Sequence, residues 1–75
     1  MPKPYQLPDE QLQLPQGYII MERSRDYILA FNPDSTINRY ATWQIAQGGI
    51  LVNGNYFSSP ISAGIDFKTR VDFNL

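Results

Sequence analysis

The stretch "YATWQIAQGGILVNGNYF", residues 40–57, contains no charged side chain and decides the fold that this sequence predicts. Apolar and polar residues alternate on both sides of the Gly48-Gly49 pair, which favours a β-hairpin with a two-residue turn. In that register one face of the hairpin is apolar, and we expect it to lie in the core. The predicted cross-strand pairs on this face are Ile45 with Val52, Trp43 with Gly54, and Ala41 with Tyr56.

The opposite face of this hairpin, here called the predicted polar face, is the candidate partner-binding surface. Amides and hydroxyls both donate and accept hydrogen bonds, and uncharged groups cost less to desolvate than charges when a partner docks. An ordinary solvent-exposed sheet face is the alternative interpretation. The candidate partner-binding residues are Tyr40, Thr42, Gln44, Leu51, Asn53, Asn55 and Phe57.

Another hairpin is predicted from "YIIMERSRDYILAF", residues 18–31, in which two apolar runs flank a polar centre. Its turn falls near residues 23–26. A two-residue Ser24-Arg25 loop is disfavoured because neither residue is glycine or asparagine, so a four-residue loop is expected. Both faces of this hairpin are apolar with either loop, and we therefore expect it to be covered on both sides.

Four prolines, at positions 2, 4, 8 and 15, keep the first sixteen residues from joining a sheet. Each proline lacks a backbone donor and restricts the residue before it. The sequence thus divides into a proline-rich N-terminal arm, residues 1–16, and a single small domain, residues 17–75. We expect Leu7, Leu12 and Leu14 to anchor the arm onto that domain.

The C-terminal segment has two interpretations. A Ser-Pro pair at positions 59–60 is a typical helix start, and apolar residues recur every four positions from Ala63 to Val71. This pattern predicts a helix over residues 60–73. Residues 65–75, however, also alternate between apolar and polar, which favours a fifth strand.

These elements together predict an α+β fold, a four-stranded antiparallel meander with the C-terminal helix packed on one face. The strands are expected at about residues 18–23, 27–31, 40–46 and 50–57. A surface loop over residues 32–39 connects the two hairpins. The alternative is an all-β fold with a fifth strand.

Composition argues against several kinds of chemistry. The chain of 75 residues has no histidine and no cysteine, so it offers no imidazole or thiolate as a metal ligand or nucleophile. No two carboxylates are placed persuasively for acid–base catalysis. The aspartates are too scattered for a calcium loop, and the glycines lack the spacing of a phosphate-binding loop. The sequence therefore predicts a protein that is not an enzyme and that holds no cofactor or metal.

The formal net charge of −1 provides no simple electrostatic attraction to nucleic acid or to acidic membranes. The alternative function is nevertheless binding of single-stranded nucleic acid, with Arg23, Arg25 and Arg39 on phosphates and nearby aromatic rings stacked on bases. A second alternative is carbohydrate binding by Tyr40, Trp43 and the neighbouring amides. This second alternative requires an exposed Trp43.

Membrane insertion and export are not expected. Glutamine, asparagine, glycine and serine interrupt every apolar run well before the roughly 20 residues that a membrane helix needs. The N-terminal sequence "MPKPYQLPDEQLQLPQG" lacks the basic start and the apolar run of a signal peptide. We therefore expect a cytoplasmic protein.

Five motifs, "LPQGY", "ERSRDY", "NRYATWQ", "NYF" and "DFKTRV", resemble a pattern found in small uncharacterised proteins of bacteria, phages and mobile elements. The resemblance covers roughly residues 14–71. It implies a β-meander packed with a helix and an accessory role, such as binding a host or phage component, and it carries over no catalytic or ligand residue. The predicted polar face, the excess of apolar residues and the lack of catalytic groups lead to one hypothesis. The chain is a small non-catalytic module that binds a protein partner or forms a homodimer.

Overall fold

A computed structural model describes residues 3–73, and it confirms the predicted α+β fold. Four antiparallel strands pair in the order β1-β2-β3-β4, and a C-terminal helix packs on the sheet. The alternative of a fifth strand is wrong, because residues 60–73 are helical. Residues 1–2 of the predicted arm and residues 74–75 of the predicted domain lie outside the described residues. The elements are β1 Ile19–Ser24, β2 Tyr27–Phe31, β3 Tyr40–Ile45, β4 Leu51–Phe57 and α1 Pro60–Phe73.

The sheet buries apolar side chains on both of its faces. Tyr27 and Leu29 pack against Ala63 and Phe67 of α1 on one side, here called the helix face. The opposite side, here called the arm face, is covered by the N-terminal arm. The expectation that the first hairpin is covered on both sides is confirmed for β2 and is wrong for β1, in which Ile19 and Met21 are more than half exposed. The buried residues of the arm-face cluster are Leu7, Leu12, Ile28, Ala30, Ala41, Trp43 and Ile45.

The arm is fixed to the sheet by apolar, ionic and backbone contacts. The predicted anchoring by leucines is confirmed, because Leu7 and Leu12 are buried in the arm-face cluster and Leu14 packs against it. The Arg23 guanidinium donates to the Asp9 carboxylate at 2.8 Å. These contacts place the arm as a third layer of the molecule, opposite α1.

The turn between β1 and β2 contains two residues, Arg25 and Asp26, so the prediction of a four-residue loop is wrong. Ser24 pairs with Tyr27, and Arg25 adopts a left-handed φ of 54°. The N–H of Ile45 donates to the Asp26 carbonyl at 2.6 Å. The ladder between β2 and β3 thus extends one residue beyond Tyr27, and this tertiary contact restrains the loop.

The loop between β3 and β4 contains three residues, Gln47–Gly49, instead of the predicted Gly48-Gly49 pair. The N–H of Ala46 donates to the Ile50 carbonyl at 2.6 Å and closes this loop. An odd loop length reverses the alternation of faces. Ile45 consequently pairs with Leu51, and the predicted pairing of Ile45 with Val52 is wrong.

A β-bulge at Asn53 restores the predicted alternation further along β4. Asn53 adopts a left-handed φ of 54°, which asparagine tolerates better than most residues. Beyond the bulge, Ala41 pairs with Tyr56 as predicted. The net effect is that Leu51 packs in the arm-face cluster, whereas Val52 pairs with Gln44 on the helix face.

Helix α1 starts where the Ser-Pro signal predicts. The Ser59 hydroxyl accepts hydrogen bonds from the N–H groups of Ile61 and Ser62 at 3.2 and 3.4 Å, as an N-cap does. Ala63 and Phe67 lie on the buried side, in agreement with their spacing of four. Among residues 3–73, the molecule has no helix of the length and apolarity needed to span a membrane.

Candidate functional site

Helix α1 covers much of the predicted polar face. Thr42 is completely buried, and its hydroxyl donates a 2.5 Å hydrogen bond to the Asp66 carboxylate of α1. Tyr40 and Phe57 are half-buried against the cluster that joins the sheet to the helix. These three residues therefore contact the chain's own helix and offer little surface to another molecule.

A charged pair of α1 lies over the asparagines of the same face. Arg70 donates to Asp66 at 3.1 Å, one helical turn away, and also to the carbonyl of Asn53 at 2.5 Å. In the orientation that satisfies both of its groups, the Asn55 amide accepts from Arg70 at 2.7 Å and donates to the Gly54 carbonyl at 3.2 Å. The neutral donors and acceptors of β3 and β4 thus satisfy one ion pair of the helix.

The remaining members of the predicted polar face are divided between the two faces of the sheet. Asn53 donates to the Gln44 side chain at 2.9 Å, and Asn53 and Asn55 stay exposed. Leu51 lies on the arm face because of the odd loop and the bulge. The structure does not bring all seven residues to one surface, and a role of the exposed asparagines in partner binding stays a prediction.

The three arginines of the nucleic-acid alternative do not converge. Arg23 is held by Asp9 of the arm, and Arg25 lies in the turn that precedes β2. Arg39 lies beyond the other end of β2, where it donates to the Ser35 carbonyl. Five residues of strand extend over roughly 17 Å, so Arg25 and Arg39 do not form a joint phosphate-binding patch.

The aromatic residues are also unsuited to stacking on a ligand. Trp43 is only 4% exposed, and its ring lies edge-on between Tyr18 at 5.0 Å and Tyr56 at 5.9 Å. Burial raises the pKa of the Tyr18 hydroxyl, and the neighbouring Tyr56 adds to the rise. The carbohydrate alternative requires an exposed Trp43, and this condition is not met.

An open groove of about 370 Å³ separates β1 from α1 on the helix face, and we call it the β1–α1 groove. Glu22, Lys68 and Asp72 stand around it, and none of these three forms an ion pair within residues 3–73. The groove therefore carries charges of both signs that the described part of the chain does not neutralise. Its lining residues are Glu22, Ser24, Gly64, Phe67, Lys68, Val71 and Asp72.

Gly64 is the sequence signal that could have located this groove. A glycine in a helix interior costs roughly 0.5–1 kcal/mol relative to alanine, so it usually has a steric or functional reason. No heavy atom lies within 4 Å of the position that a Cβ would occupy at Gly64. The fold itself does not require a glycine there.

Exposed apolar side chains lie on both elements that border the groove, α1 and β1. Ile61 and Ile65 stand one turn apart on the outward side of α1, with 74% and 63% of their surfaces exposed. Ile19 of β1 is 57% exposed and pairs with Phe31 on the helix face. Ile61 and Ile65 therefore form an exposed apolar strip on α1, and Ile19 adds an exposed apolar side chain on β1.

In the part of the chain that the structure describes, no three His, Cys, Asp or Glu side chains are placed to hold a metal ion. The carboxylates of Asp9 and Asp66 are each paired with an arginine.

Comparisons of this chain with protein-family models, with curated proteins and with solved structures found no match. The resemblance to small proteins of bacteria, phages and mobile elements therefore stays a prediction.

Proposed function

We propose that this chain is a small non-catalytic protein-binding module that acts through the outward side of α1. The observation that carries the proposal is the exposure of Ile61 and Ile65 on a helix whose inner side already buries Ala63 and Phe67. A surface helix normally presents polar residues to water, and apolar side chains on both sides are typical of a helix with a second contact. A protein partner would remove the two isoleucines from water.

The size of the apolar strip sets what else a partner must contact. Full burial of one isoleucine side chain contributes roughly 1.5–3 kcal/mol, whereas association costs about 4–15 kcal/mol in lost motion. Two isoleucines alone therefore do not hold a complex together. Ile19 and the β1–α1 groove lie on the same side of the molecule and extend the contact area.

The composition supports a non-catalytic role. The chain has no histidine or cysteine, and the pairing of Asp66 with Arg70 and Thr42 serves the packing of α1 on the sheet. Three charged side chains without an ion pair among residues 3–73, Glu22, Lys68 and Asp72, border an open groove. These charged side chains are better placed to bind charges of a partner than to transfer protons in a reaction.

Size-exclusion chromatography with light scattering, on the purified chain alone and after incubation with cell lysate, tests the proposal. The double variant Ile61→Ser/Ile65→Ser should lose the binding that the wild type shows. Ile37→Ser is the matched control, because Ile37 is 73% exposed but lies in the loop between β2 and β3. A wild-type chain that is strictly monomeric and captures nothing would contradict the proposal, as would equal binding by the double variant.

A further inference from the structure

We propose that the occupant of the β1–α1 groove is a second copy of this chain, so that α1 of each copy packs over β1 of the other. This inference rests on the proposed protein-binding function and specifies the partner and the contact. It makes the molecule a symmetric dimer in which the two sheets face each other with both helices between them.

The sheet has room for a second helix on its helix face. Four strands spaced about 4.8 Å apart are wider than the roughly 10 Å diameter of one helix. α1 packs mainly on β2, β3 and β4, and the groove separates it from β1. The helix face of β1 is thus the part of the sheet that the chain's own helix does not cover.

The residues along β1 and α1 follow the same order, which makes the surface self-complementary. Ile19 belongs to a row of paired residues that crosses the sheet and ends at Phe57, the last residue of β4. Helix α1 begins three residues after Phe57, so Ile19 and Ile61 lie at the same end of the sheet. Glu22 and Lys68 both line the groove further along. The row consists of Ile19, Phe31, Tyr40 and Phe57.

A two-fold axis that runs along the groove brings matching groups together. It places Ile61 and Ile65 of one copy at the height of Ile19 of the other, and Lys68 at the height of the other copy's Glu22. A two-fold interface uses the same patch on both copies, so each of these contacts occurs twice. Glu22 and Lys68 carry opposite charges on one patch and form no ion pair within residues 3–73, which favours this occupant over a partner of a single charge sign.

Gly64 explains how the two helices approach each other. Its side of α1 faces the groove, and the space around its Cβ position is empty. Packed helices lie about 8–10 Å apart, and the shorter distances need small residues at the crossing. A standard interface of about 800 Å² per copy would use roughly one sixth of the 4884 Å² accessible surface.

Sedimentation velocity of the full chain over a wide concentration range tests the dimer. We expect the wild type to associate, and Gly64→Leu to weaken association by about tenfold or more, because the leucine fills the groove. Ser62→Leu is the matched control, since Ser62 is exposed on α1 and does not line the groove. The thermal midpoint of each variant verifies that it is folded.

Charge exchange between copies provides a test that a folding defect cannot imitate. Glu22→Lys alone and Lys68→Glu alone should each associate more weakly, because each places like charges across the interface twice. An equimolar mixture of the two variants should form a heterodimer, since both contacts then join a lysine to a glutamate. Native mass spectrometry counts the mixed species.

Three results would overturn the inference: a wild type that stays monomeric, a Gly64→Leu variant that associates like the wild type, or a mixture with no preference for the heterodimer. A monomer that still binds another protein through Ile61 and Ile65 would overturn the dimer while the proposed function stands. A monomer that binds no protein would contradict both the dimer and the proposed function.

Discussion

Thr42 is the residue at which the neutral face of β3 meets the charged side of α1. It is completely buried, and its hydroxyl donates to Asp66, which also accepts from Arg70. A charged side chain at position 42 would have to be buried against this pair, at a high cost in desolvation. The absence of charge at this position therefore has an intramolecular cause.

Replacing Thr42 by valine measures this contact. Valine keeps the shape and removes the donor, so we expect the free energy of unfolding to fall by about 1.5–3 kcal/mol, as for a hydrogen bond to a charged group. Thr69→Val, on the exposed side of α1, is the control and should change stability by less than about 0.5 kcal/mol. Urea denaturation followed by circular dichroism gives both values, and equal effects would contradict the role of Thr42.

At the scale of the element, α1 and β4 each contain a glycine, and the two glycines have different reasons. At Gly54 of β4, a Cβ would lie 2.5 Å from the Trp43 indole nitrogen, so the packing of the arm face requires glycine there. At Gly64 of α1 nothing lies near. A glycine that the fold needs and one that it does not need should respond in opposite ways to substitution.

Substitution of each glycine by alanine should therefore change stability in opposite directions. Gly64→Ala should raise the free energy of unfolding by roughly 0.5–1 kcal/mol, because alanine favours the helix. Gly54→Ala should lower it by about 1–3 kcal/mol through the clash with Trp43. Thermal unfolding at a concentration at which the chain is monomeric tests both. A loss of stability in Gly64→Ala would mean that the fold itself uses this glycine.

The whole molecule consists of three layers, namely arm, sheet and helix. The arm covers the face of the sheet opposite α1, where a second helix or sheet would otherwise be needed. A 75-residue chain buries a smaller fraction of its unfolded surface than a larger domain does and has no disulfide to compensate, so the leucines of the arm matter for stability. Gly49 shows how closely the arm fits, since a Cβ at this residue would lie 2.2 Å from the Gln11 carbonyl oxygen. The arm is therefore part of the fold and not an appendage.

Truncation of one arm leucine tests this view. Leu12→Ala should reduce the free energy of unfolding by about 2–5 kcal/mol, since Leu12 is 7% exposed in the arm-face cluster. Leu14→Ala, at a half-buried position of the same arm, should cost clearly less. The fluorescence of Trp43, which belongs to the same cluster, reports unfolding directly. A Leu12→Ala variant as stable as the wild type would show that the arm does not support the core.

Most of the fold could be predicted because its signals are local. Alternation in residues 40–45, the Ser-Pro start of α1 and the spacing of Ala63 and Phe67 each depend on residues close in sequence, and the element bounds agree within one residue. The prolines likewise favour an arm over a strand, since a residue without a backbone donor cannot complete the ladder of a central strand.

Tertiary structure alone decided which faces Leu51 and Val52 occupy at the start of β4 and what covers each face of the hairpin. The three-residue loop and the bulge at Asn53 shift Leu51 and Val52 between faces, and neither follows from alternation, because both depend on backbone angles that packing selects. The β1–α1 groove likewise does not follow from the sequence pattern, because its residues come together only in the folded chain. Glu22 and Lys68 are 46 positions apart in sequence, and both line one groove only because α1 packs on the sheet. That packing depends on the polar residues of β3 and β4, which hydrogen-bond to the ion pair of Asp66 and Arg70.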